Sequence, residues 1–391
     1  MLTLTLKPHE ERRVRAGHLW IYSNEIETDA QFRTIAPGSL CRVVDSRGKP
    51  LGIGYVNPHT VLAVRLLSSD ARATIDLAWF ERRLHAALAL RERLYAQPYY
   101  RLVHGESDGL PGVVVDRYGG ILVVQVTTAG MERLKPLLID ALRSTLRPDG
   151  IVLRGDGAMR ALEGLPADDE ILGVVPETVE VVEDGLRLRV DLREGQKTGF
   201  FFDQRDNRSR LQRYVRGARV LDVFSYVGAW ALHALRYGAA SAACIDASAS
   251  ALDAARGNAA LNGHTLETIH GDALDALKSL RAAERRFDVV IVDPPALIKR
   301  RKDYEAGLAH YAALHRAALH VLAPDGILVA CSCSYHLDAD ALQRVLLRES
   351  RQVGRRLQIL EQGGQGPDHP VHPAIPETRY LKAFYCRAWK G

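Results

Sequence analysis

The chain has 391 residues, of which 47% are hydrophobic and 25% charged, a composition that fits a folded globular protein and excludes a disordered or fibrous one. Its length exceeds one ordinary hydrophobic core, so we expect two or three domains. No apolar run approaches the roughly 18 residues needed to span a bilayer, and the first residues lack the apolar block of a signal peptide. We therefore expect a cytoplasmic protein with no membrane partner.

The cysteines narrow the class of protein further. They are Cys41, Cys244, Cys331, Cys333 and Cys386, an odd number with no Cys-x-x-Cys pair among them. This spacing argues against a disulfide framework and against a structural zinc site, so we expect reduced thiols and no metal ion.

The net charge of +5 is modest, but basic residues concentrate in two places. Six arginines fall between residues 205 and 219, and a second, uninterrupted run consists of Lys299, Arg300, Arg301 and Lys302. One such run usually marks solvated surface. Two runs near one predicted site favour a polyanionic partner.

Residues 1–72 are predicted to form a small β domain. Short apolar segments at 17–22, 40–45, 51–56 and 61–67 alternate with turn signals. Strands that are this short and evenly spaced indicate a compact barrel.

Residues 73–190 are predicted to form a central α+β domain. Apolar periodicity and turn residues predict, in chain order, a helix over 75–95, a hairpin over 113–126, a helix over 131–146, and strands at 151–154 and 177–182. No residues in this part of the sequence indicate chemistry.

Residues 191–391 are predicted to form a doubly wound, Rossmann-like domain, so the fold class is α/β. Strands and helices alternate from residue 217 onward, which specifies a mainly parallel sheet with helices on both faces. The predicted strands are 220–224, 242–246, 268–270, 289–293 and 327–330, and the predicted helices are 229–237, 249–261, 273–280 and 304–322. Two later strands, 356–361 and 379–387, are expected to close the sheet as an antiparallel edge.

The strand ends of this domain predict its cofactor. The first strand-to-helix turn holds one glycine, Gly228, whereas a dinucleotide-binding turn needs three so that the backbone can approach a pyrophosphate. Asp246 ends the second strand, where it can accept both ribose hydroxyls, and Asp272 follows the third, where it can read an adenine amino group. Each carboxylate alone would also serve as a helix N-cap. Together, without a phosphate loop, they predict an S-adenosylmethionine site.

The fourth strand ends in Asp293-Pro294-Pro295. The two prolines lack a backbone N–H and fix the direction of the chain, so we expect them to hold the Asp293 carboxyl rigidly over the crevice. Such a turn suits a flat nucleobase that is bound by hydrogen bonds to its edge.

The fifth strand runs through residues 327–330 into Cys-Ser-Cys-Ser. A thiol at the carboxyl end of this strand is either a buried side chain that packs in the core or a nucleophile. C5 of cytosine is a poor nucleophile, and a thiolate that adds to C6 makes C5 react like an enamine. Cys333 is expected to share a crevice with Asp293 and to have basic residues nearby, which a reactive thiolate needs. We therefore predict that Cys333 is the nucleophile and that Cys331 belongs to the core.

Several motifs resemble those of one known family. They are the block Gly195–Arg208, which contains Lys-Thr-Gly and Asp-Gln-Arg, the Val-Phe-Ser-Tyr-Val-Gly turn that ends at Gly228, Asp293-Pro-Pro and Ser332-Cys-Ser. Over essentially its whole length the chain is similar to the RlmI-type family of bacterial 23S ribosomal RNA (cytosine-5)-methyltransferases.

The resemblance implies a domain organisation. It implies a PUA-like RNA-binding β domain in residues 1–72, a central α+β domain in 73–190 and an S-adenosylmethionine-dependent methyltransferase domain in 191–391. The implied partner is 23S ribosomal RNA or a large-subunit assembly intermediate, and the sequence leaves a homodimer open.

The resemblance also implies the site residues. By it, the catalytic residues are Cys333, which adds to the base, and Asp293, which hydrogen-bonds the base. The implied cofactor-binding residues are Phe201, Asp203, Gln204, Arg205, Asp222, Phe224, Ser225, Tyr226, Gly228, Asp246, Ala247, Ser248, Asn258, Asp272, Ala273 and Asp293. The implied contacts with the substrate RNA are Pro294, Pro295, Lys299, Arg300, Arg301 and Lys302.

Two alternative functions are not excluded by the sequence. Methyltransferases that act on guanine nitrogen share the Asp-Pro-Pro turn and need no thiol. A ribosome-assembly factor can keep the cofactor fold without catalysis. The base that would remove the C5 proton of cytosine is not identified by any motif.

Overall fold

The structure is a computed structural model that describes residues 1–155, 157–192 and 199–390. Residues 195–198 of the family motif therefore lie outside the described residues. The chain divides into two compact units, defined as follows. The first unit is Met1–Val179, Asp191–Phe200 and Pro367–Thr378, and the second unit is Glu180–Val190, Phe201–Gly366 and Arg379–Gly391. The three-domain division at residues 72 and 190 stays a prediction.

A five-stranded sheet and one short helix form the amino-terminal part of the first unit. The elements are β1 (Leu2–Thr5), α1 (Glu11–Arg15), β2 (Trp20–Tyr22), β3 (Ser39–Val44), β4 (Pro50–Val56) and β5 (Leu62–Ser68). The strand order is β1-β3-β4-β5-β2, with β1 parallel to β3 and the other pairs antiparallel. A bridge between Leu6 and Ile26 links the two ends of the sheet, in agreement with the predicted barrel.

A second five-stranded sheet with two long helices forms the rest of the first unit. The elements are α2 (Leu77–Leu94), β6 (Tyr99–His104), β7 (Val113–Tyr118), β8 (Ile121–Val126), α3 (Ala129–Leu146), β9 (Gly150–Arg154), α4 (Ala158–Leu162) and β10 (Glu170–Gly173). The strand order is β10-β9-β8-β7-β6, with β8 parallel to β9 and the other pairs antiparallel. Phe80 and Leu138 of the long helices pack with Val115 and Val124 of the sheet. The predicted helices and hairpin are confirmed, whereas β6 and β10 have no counterpart in the prediction.

Buried charges fix the segment 367–378 to the first unit. The Arg91 side chain donates to both carboxylate oxygens of Asp108, at 2.6 and 2.8 Å, and to the carbonyl of Asp368 at 2.8 Å. The Asp368 carboxylate accepts from the backbone N–H of Arg101 at 3.0 Å. Because buried charged groups are stable only when they are hydrogen-bonded, these contacts hold the segment in place.

A hairpin of two strands, β11 (Thr178–Glu183) and β12 (Leu186–Asp191), follows along the chain. In β12, Leu186, Leu188 and Val190 are buried, and the arginines between them are exposed. This period of two is that of a half-buried strand. The sequence predicted β11 but not β12.

The second unit is built on a seven-stranded sheet. Its remaining elements are α5 (Arg205–Arg210), β13 (Arg219–Val223), α6 (Ala229–Arg236), β14 (Ser241–Asp246), α7 (Ala249–Leu261), β15 (Glu267–His270), α8 (Ala273–Ala282), β16 (Phe287–Val292), α9 (Tyr304–Val321), β17 (Leu322–Ser332), α10 (Ala339–Gln352), β18 (Arg355–Gly363) and β19 (Lys382–Lys390). The strand order is β15-β14-β13-β16-β17-β19-β18. The first five strands of this order are parallel, and β19 is antiparallel to both of its neighbours. The predicted doubly wound sheet with an antiparallel edge is confirmed.

Helix α10 was not predicted, although its sequence carries the signals of a helix. Asp338 caps its first turn by accepting from the backbone N–H of Ala341 at 2.6 Å. Leu342, Val345 and Leu346 recur at helical spacing and are buried. No helix in the described part of the chain is both long enough and apolar enough to cross a membrane.

Two helical glycines of the second unit make the tightness of its packing testable. A Cβ atom on Gly307 of α9 would lie 2.3 Å from Cγ1 of Ile298 and 2.8 Å from the carbonyl oxygen of Leu297, whereas one on Gly257 of α7 would meet no atom within 4 Å. We expect Gly307→Ala to lower the free energy of unfolding by about 1–3 kcal/mol because it overpacks the loop after β16. Gly257→Ala should raise it by roughly 0.4–1 kcal/mol. Urea unfolding followed by circular dichroism measures both, and equal effects of the two substitutions would contradict the packing described.

Candidate functional site

The candidate site lies at the carboxyl ends of the parallel strands in the second unit. The strand order reverses at β13, with β14 and β15 on one side and β16 and β17 on the other. In sheets of this kind, ligands bind in the crevice outside the strand ends at such a reversal. The residues that follow β13, β14, β16 and β17 therefore define the crevice.

The loop after β13 has a strained backbone. Phe224 and Tyr226 have φ angles of 68° and 48°, and Gly228 has a φ angle of 79°. A side-chain-bearing residue in this left-handed region costs about 1–3 kcal/mol, and such residues cluster at ligand sites. The backbone N–H groups of Phe224 and Ser225 donate to the carbonyl of Ile245 at 2.9 and 3.1 Å. These bonds hold the loop against the end of β14.

Gly228 also permits close packing of helices. A Cβ atom at this position would lie 3.0 Å from the Cβ atom of Ala255 on α7. The positive φ angle and the close approach of α6 to α7 therefore both explain the glycine at this position. The turn has no second glycine, so it does not form a phosphate-binding loop.

Asp246 connects the ends of two strands. Its Oδ2 accepts from the backbone N–H of Tyr226 at 2.9 Å and its Oδ1 from that of Ser248 at 2.9 Å. Ser248 in turn caps α7, since its Oγ accepts from the N–H of Ala251 at 3.2 Å. A carboxylate has about four acceptor positions, so the partly exposed Asp246 retains the capacity to accept from two hydroxyls. Ala247 beside it is exposed.

Asp222 is a fully buried carboxyl near the end of β13. Its Oδ2 accepts from the N–H of Ala231 at 3.2 Å, and its Oδ1 has no hydrogen-bond partner among the described residues. Burial, together with the nearby charges of Asp293 and Asp246, raises the pKa of Asp222 to about 8 despite the bond from Ala231. At neutral pH this carboxyl is mainly protonated and is able to donate a hydrogen bond.

Three other predicted cofactor residues have structural roles in this arrangement. Asn258 on α7 accepts from the N–H of Arg189 at 2.7 Å and donates to the carbonyls of Arg189 and Val227, each at 3.2 Å. These bonds use its amide hydrogens and tie β12 to the loop after β13. Asp272 caps α8, accepting from two N–H groups of its first turn at 2.9 and 3.2 Å. Ala273, the first residue of α8, is buried.

Asp293 follows β16 and is held by two side chains. The Gln204 amide donates to its Oδ1 at 2.9 Å, and the Trp230 indole N–H donates to its Oδ2 at 3.0 Å. Burial raises the pKa of Asp293 to about 6, and the charge of Asp203 adds to the rise, although both hydrogen bonds favour the ionised form. The Asp293 carboxyl is therefore mostly ionised at neutral pH and becomes protonated when the pH falls slightly below neutrality.

The turn Phe202–Gln204 before α5 presents two polar side chains to this region. The Gln204 oxygen accepts from the Asn207 amide at 2.7 Å, which orients the Gln204 amide hydrogens towards Asp293. Asp203 accepts from the Tyr380 hydroxyl at 2.7 Å through Oδ2. Its buried Oδ1 has no hydrogen-bond partner in the described part of the chain.

A buried ion cluster anchors α5. Glu183 at the end of β11 accepts from Arg208 at 2.6 and 2.9 Å and from Arg205 at 3.0 Å, and His233 Nε2 lies 3.3 Å from it. Burial alone would raise the pKa of Glu183, but the charges of Arg208, His233 and Arg205 outweigh it and lower the pKa to about 2. Arg205, predicted to bind cofactor, is thus paired with Glu183.

The serines on either side of Cys333 fix the end of β17. Ser332 Oγ donates to the Tyr311 hydroxyl at 2.9 Å, and that hydroxyl lies 3.0 Å from Ser334 Oγ. The backbone N–H of Ile298 donates to Ser334 Oγ at 3.1 Å. The network joins β17, α9 and the loop after β16, so the position of Cys333 is set by three elements.

The two cysteines of this strand end differ in environment. Cys331 is fully buried, and burial raises its pKa well above the usual value. Cys333 is partly exposed, and its Sγ lies 3.8 Å from the carbonyl of Pro294, the residue after Asp293. The structure therefore places the Cys333 thiol beside the residue that follows Asp293, at the ends of the neighbouring strands β17 and β16, and places Cys331 in the core.

The two basic runs differ as well. In the first run, Arg205 and Arg208 pair with Glu183, and further along Arg210 and Arg213 both pair with Glu361. Each of these two carboxylates is shared by two arginines, so the run keeps a net positive charge, and its part in attracting a polyanion stays a prediction. The second run is exposed throughout and comprises Lys299, Arg300, Arg301 and Lys302, of which Arg300 pairs with Asp303 at 2.9 Å. Of the preceding prolines, Pro294 is buried and Pro295 is exposed.

Four residues of the site were not predicted, namely Glu183, Trp230, Tyr311 and Lys382. Their contacts join distant parts of the chain, so the spacing of residues in the sequence does not reveal that they belong to the site. Lys382 alone had a visible signal, because it is a single charge within the apolar run 381–386.

The buried oxygens test whether S-adenosylmethionine fits this crevice. Oδ1 of Asp203 and Oδ1 of Asp222 are buried without a partner among the described residues, and an unsatisfied buried polar atom costs about 1–3 kcal/mol. A ligand that carries hydroxyl and amino groups would satisfy them, so the residues present fit this cofactor. Within the ranges that the structure describes, no group of three or more His, Cys, Asp or Glu side chains could hold a metal ion.

Comparisons with known proteins agree with this geometry. Residues 160–386 match a family model described as S-adenosylmethionine-dependent methyltransferase, and residues 4–69 match one described as a PUA-like domain. The chain is 36% identical to the ribosomal RNA large subunit methyltransferase I of Cronobacter sakazakii, over 98% of this chain and 98% of that protein. It is also 36% identical to the protein of the same name from Photobacterium profundum, over 96% of each chain.

Among solved structures, the fold is similar to that of SMU.776 complexed with SAH. The TM-score is 0.85 at 20% sequence identity, with 99% of this chain and 100% of that chain covered. A doubly wound sheet without a phosphate loop, matched by the family model, makes this chain an S-adenosylmethionine-dependent methyltransferase, and S-adenosylmethionine is its cofactor. Its identity to the curated relatives over nearly all of its length places it in the ribosomal RNA large subunit methyltransferase I family. The family resemblance and the PUA-like domain that the sequence predicted are thus confirmed.

The Glu183 cluster generates a stability prediction. Glu183→Gln leaves Arg208 buried without its counter-charge, so we expect it to lower the free energy of unfolding by about 3–5 kcal/mol at pH 7. Because the pKa of Glu183 is depressed from 4.5 to about 2 in the folded state, its stabilising contribution is complete above 4.5 and is lost as the pH falls towards 2. Urea titrations between pH 7 and pH 3 should show the difference between wild type and variant narrowing below pH 4.5.

The matched control is Glu180→Gln on the same strand. Glu180 pairs with Arg187 at 2.6 Å, but this pair is largely exposed, so its loss should cost less than about 1 kcal/mol. A Glu183 effect no larger than the Glu180 effect would show that the buried cluster does not stabilise the unit.

Proposed function

We propose that this methyltransferase transfers a methyl group from S-adenosylmethionine to C5 of a cytidine in 23S ribosomal RNA, with Cys333 bonded to C6 during the reaction. The observation that carries the proposal is the partly exposed Cys333 thiol, which lies 3.8 Å from the carbonyl of Pro294, the residue after Asp293. The names of the curated relatives support ribosomal RNA of the large subunit as the substrate.

The residues around the loop after β13 are proposed to hold the cofactor. Asp246 would accept from the ribose hydroxyls, and the protonated Asp222 and the unpaired oxygen of Asp203 would meet polar groups of the ligand. When bound, S-adenosylmethionine supplies an electrophilic methyl group to a nucleophilic carbon. The strained backbone of Phe224–Gly228 supports this assignment, because it keeps the loop's N–H groups at the strand end.

Cys333 is proposed to overcome the low nucleophilicity of C5. Its thiolate adds to C6, so that an S–C6 bond forms and the π electrons move towards N3 and O2 of the ring. C5 of the adduct is then enamine-like and able to take a methyl group. Loss of the C5 proton to a base, for which water is the candidate, restores the C5–C6 double bond as the S–C6 bond breaks and the thiolate leaves.

Asp293 is proposed to hold the edge of the cytosine and to balance its charge. Gln204 and Trp230 fix the orientation of its carboxyl, and a pKa of about 6 lets it hydrogen-bond N3 or the exocyclic amine in either protonation state. Its place beside two prolines limits the movement of the backbone under the base.

The RNA is proposed to approach over the exposed run 299–302, beyond Pro295. Four cations there would contact phosphates and so contribute affinity rather than base specificity. The target cytidine has to be unstacked, since C5 and C6 of a paired base in a helix are not accessible to a thiol. We place the reaction in the cytoplasm, on 23S ribosomal RNA or a large-subunit assembly intermediate, and a homodimer is the oligomeric state to be tested by light scattering.

Substitution of Cys333 tests the covalent scheme. We expect Cys333→Ala to reduce methylation of large-subunit RNA by at least about 10³-fold, because C5 is a poor nucleophile without the thiol adduct at C6. Wild type should also form a denaturation-resistant adduct with RNA that contains 5-fluorocytidine, since fluorine at C5 blocks the final proton loss. Nucleoside mass spectrometry measures the product, and gel electrophoresis detects the adduct.

Cys331→Ala is the control for this experiment, because that thiol lies two residues away in the core. It should keep the adduct and most of the activity. Full activity of Cys333→Ala would refute the covalent scheme, and methylguanosine in place of 5-methylcytidine would establish the guanine-nitrogen alternative.

Substitution of Asp246 tests the cofactor assignment. Loss of hydrogen bonds to a charged acceptor costs about 1.5–3 kcal/mol, so we expect Asp246→Ala to weaken S-adenosylmethionine binding by about 10–100-fold. Isothermal titration calorimetry provides the measurement, with Asp253→Ala on the exposed face of α7 as the control. Equal affinities for the two variants would exclude Asp246 from the cofactor site, and absence of binding by wild type would favour a non-catalytic assembly factor.

A further inference from the structure

Lys382 is a buried cation at the edge of the crevice. It is the first residue of β19, lies opposite Ser332 in the β17–β19 register, and is 8% exposed. Its Nζ donates to the carbonyl of Ser334 at 2.6 Å and to that of Tyr380 at 2.8 Å. The residues after it in β19 up to Cys386 are apolar or aromatic and buried, so the ammonium is an exception that packing does not explain.

Lys382 forms no ion pair with a carboxylate among the residues that the structure describes. Burial lowers its pKa to about 8, and the charges of Cys333 and Asp338 act in the opposite direction. At neutral pH the group is therefore mainly charged. Two of its three hydrogens go to carbonyls, and a third remains.

A buried charge of this kind is costly. Desolvation of an ammonium costs several kcal/mol unless other groups compensate it, and an apolar side chain would fit the interior of a sheet at lower cost. One of the two carbonyls that it contacts belongs to Ser334, the residue after Cys333, and the other to Tyr380, just before β19, so the position of the charge is fixed. The positive charge of Lys382 would stabilise a neighbouring group that becomes an anion.

We propose that Lys382 is a positioning residue that stabilises the thiolate of Cys333, an inference that rests on the function proposed above. Its contact with the Ser334 carbonyl holds the chain next to Cys333, and its charge favours the ionised sulfur. It touches neither the cytosine nor the methyl donor in this scheme.

Several other ionisable groups near Cys333 are described by the structure, and the following ones supply no positive charge. Tyr311 on α9 is hydrogen-bonded to the flanking serines, and burial raises its pKa. Cys331 on β17 and Asp293 after β16 are anionic when ionised and so oppose a thiolate. Asp338, at the start of α10, lies near Lys382 and also carries negative charge.

The charge of Lys382 acts at both ends of the covalent step. The Cys333 thiol loses its proton to water, and the thiolate that results is stabilised by the ammonium. When sulfur bonds to C6, its electron pair enters the new bond and negative charge moves to N3 and O2. When the S–C6 bond breaks, the pair returns to sulfur beside the same ammonium, whose own protons do not move.

Alkylation of the thiol tests this inference without methylation. Cys333 is the partly exposed cysteine and the other four are buried, so iodoacetamide applied to the folded full-length protein should modify Cys333, as located by peptide mass spectrometry. We expect Lys382→Met and Lys382→Gln to slow this reaction about tenfold at pH 7 and to move its pH dependence to higher pH. Lys382→Arg should react at nearly the wild-type rate, since it retains the charge.

The three variants separate charge from structure. Gln can still donate to one of the two carbonyls, so slow alkylation of Lys382→Gln with unchanged S-adenosylmethionine binding and unchanged melting temperature supports an electrostatic role. The inference would be overturned if Lys382→Met and Lys382→Gln were alkylated at the wild-type rate, or if Lys382→Arg were alkylated as slowly as Lys382→Met. Methylation by the Cys333→Ala variant is a separate test. If that variant still methylates RNA while Cys333 is alkylated slowly in the Lys382 variants, the proposed function fails but the coupling between Lys382 and Cys333 stands.

Discussion

Burial of both faces of the central sheet is the constraint on which the rest of the second unit depends. The parallel strands are covered by apolar helices on each side, so that Leu221 and Val290 pack on one face and Val289 and Ile291 on the other. Polar side chains are tolerated only where the strands end and their backbone leaves the hydrogen-bonded ladder. The carboxyl edge of the sheet is therefore the place where a cofactor and a base can be bound by side chains on a rigid support.

Hydrogen bonds between distant segments then set the geometry of that edge. Glu183 anchors α5, the turn before α5 carries Gln204, and Gln204 orients Asp293. On the other side, Tyr311 fixes the serines around Cys333. Each support is itself buried and satisfied, so the reactive groups are positioned without being enclosed. Catalysis requires reacting groups to be held in a defined geometry. The loss of one supporting hydrogen bond would displace the side chain that it holds.

The fold could be predicted from the sequence because its signals are local. The strand and helix alternation gave the doubly wound sheet, and helix α7 has the predicted bounds, residues 249–261. The positions of Asp246 and Asp293 followed from strand ends alone. The contacts of Trp230 and Lys382 could not be predicted, because they depend on side-chain packing between segments far apart in the chain. The pairing of the arginines of residues 205–219 could not be predicted for the same reason, since Glu361, which contacts two of them, comes from a distant strand.

The chain passes between its two units several times, and this has a consequence for how it is made. The first unit includes Pro367–Thr378, and its buried Arg91 is satisfied in part by Asp368. During synthesis from the amino terminus, domains usually fold as they emerge. Arg91 pairs with the nearby Asp108, but the carbonyl of Asp368 to which it also donates is 277 residues further along the chain. Neither unit is therefore complete until nearly the whole chain has been translated. Completion of the first unit should therefore be largely post-translational, and a fragment that ends before Pro367 would leave Arg91 without the Asp368 carbonyl to which it donates.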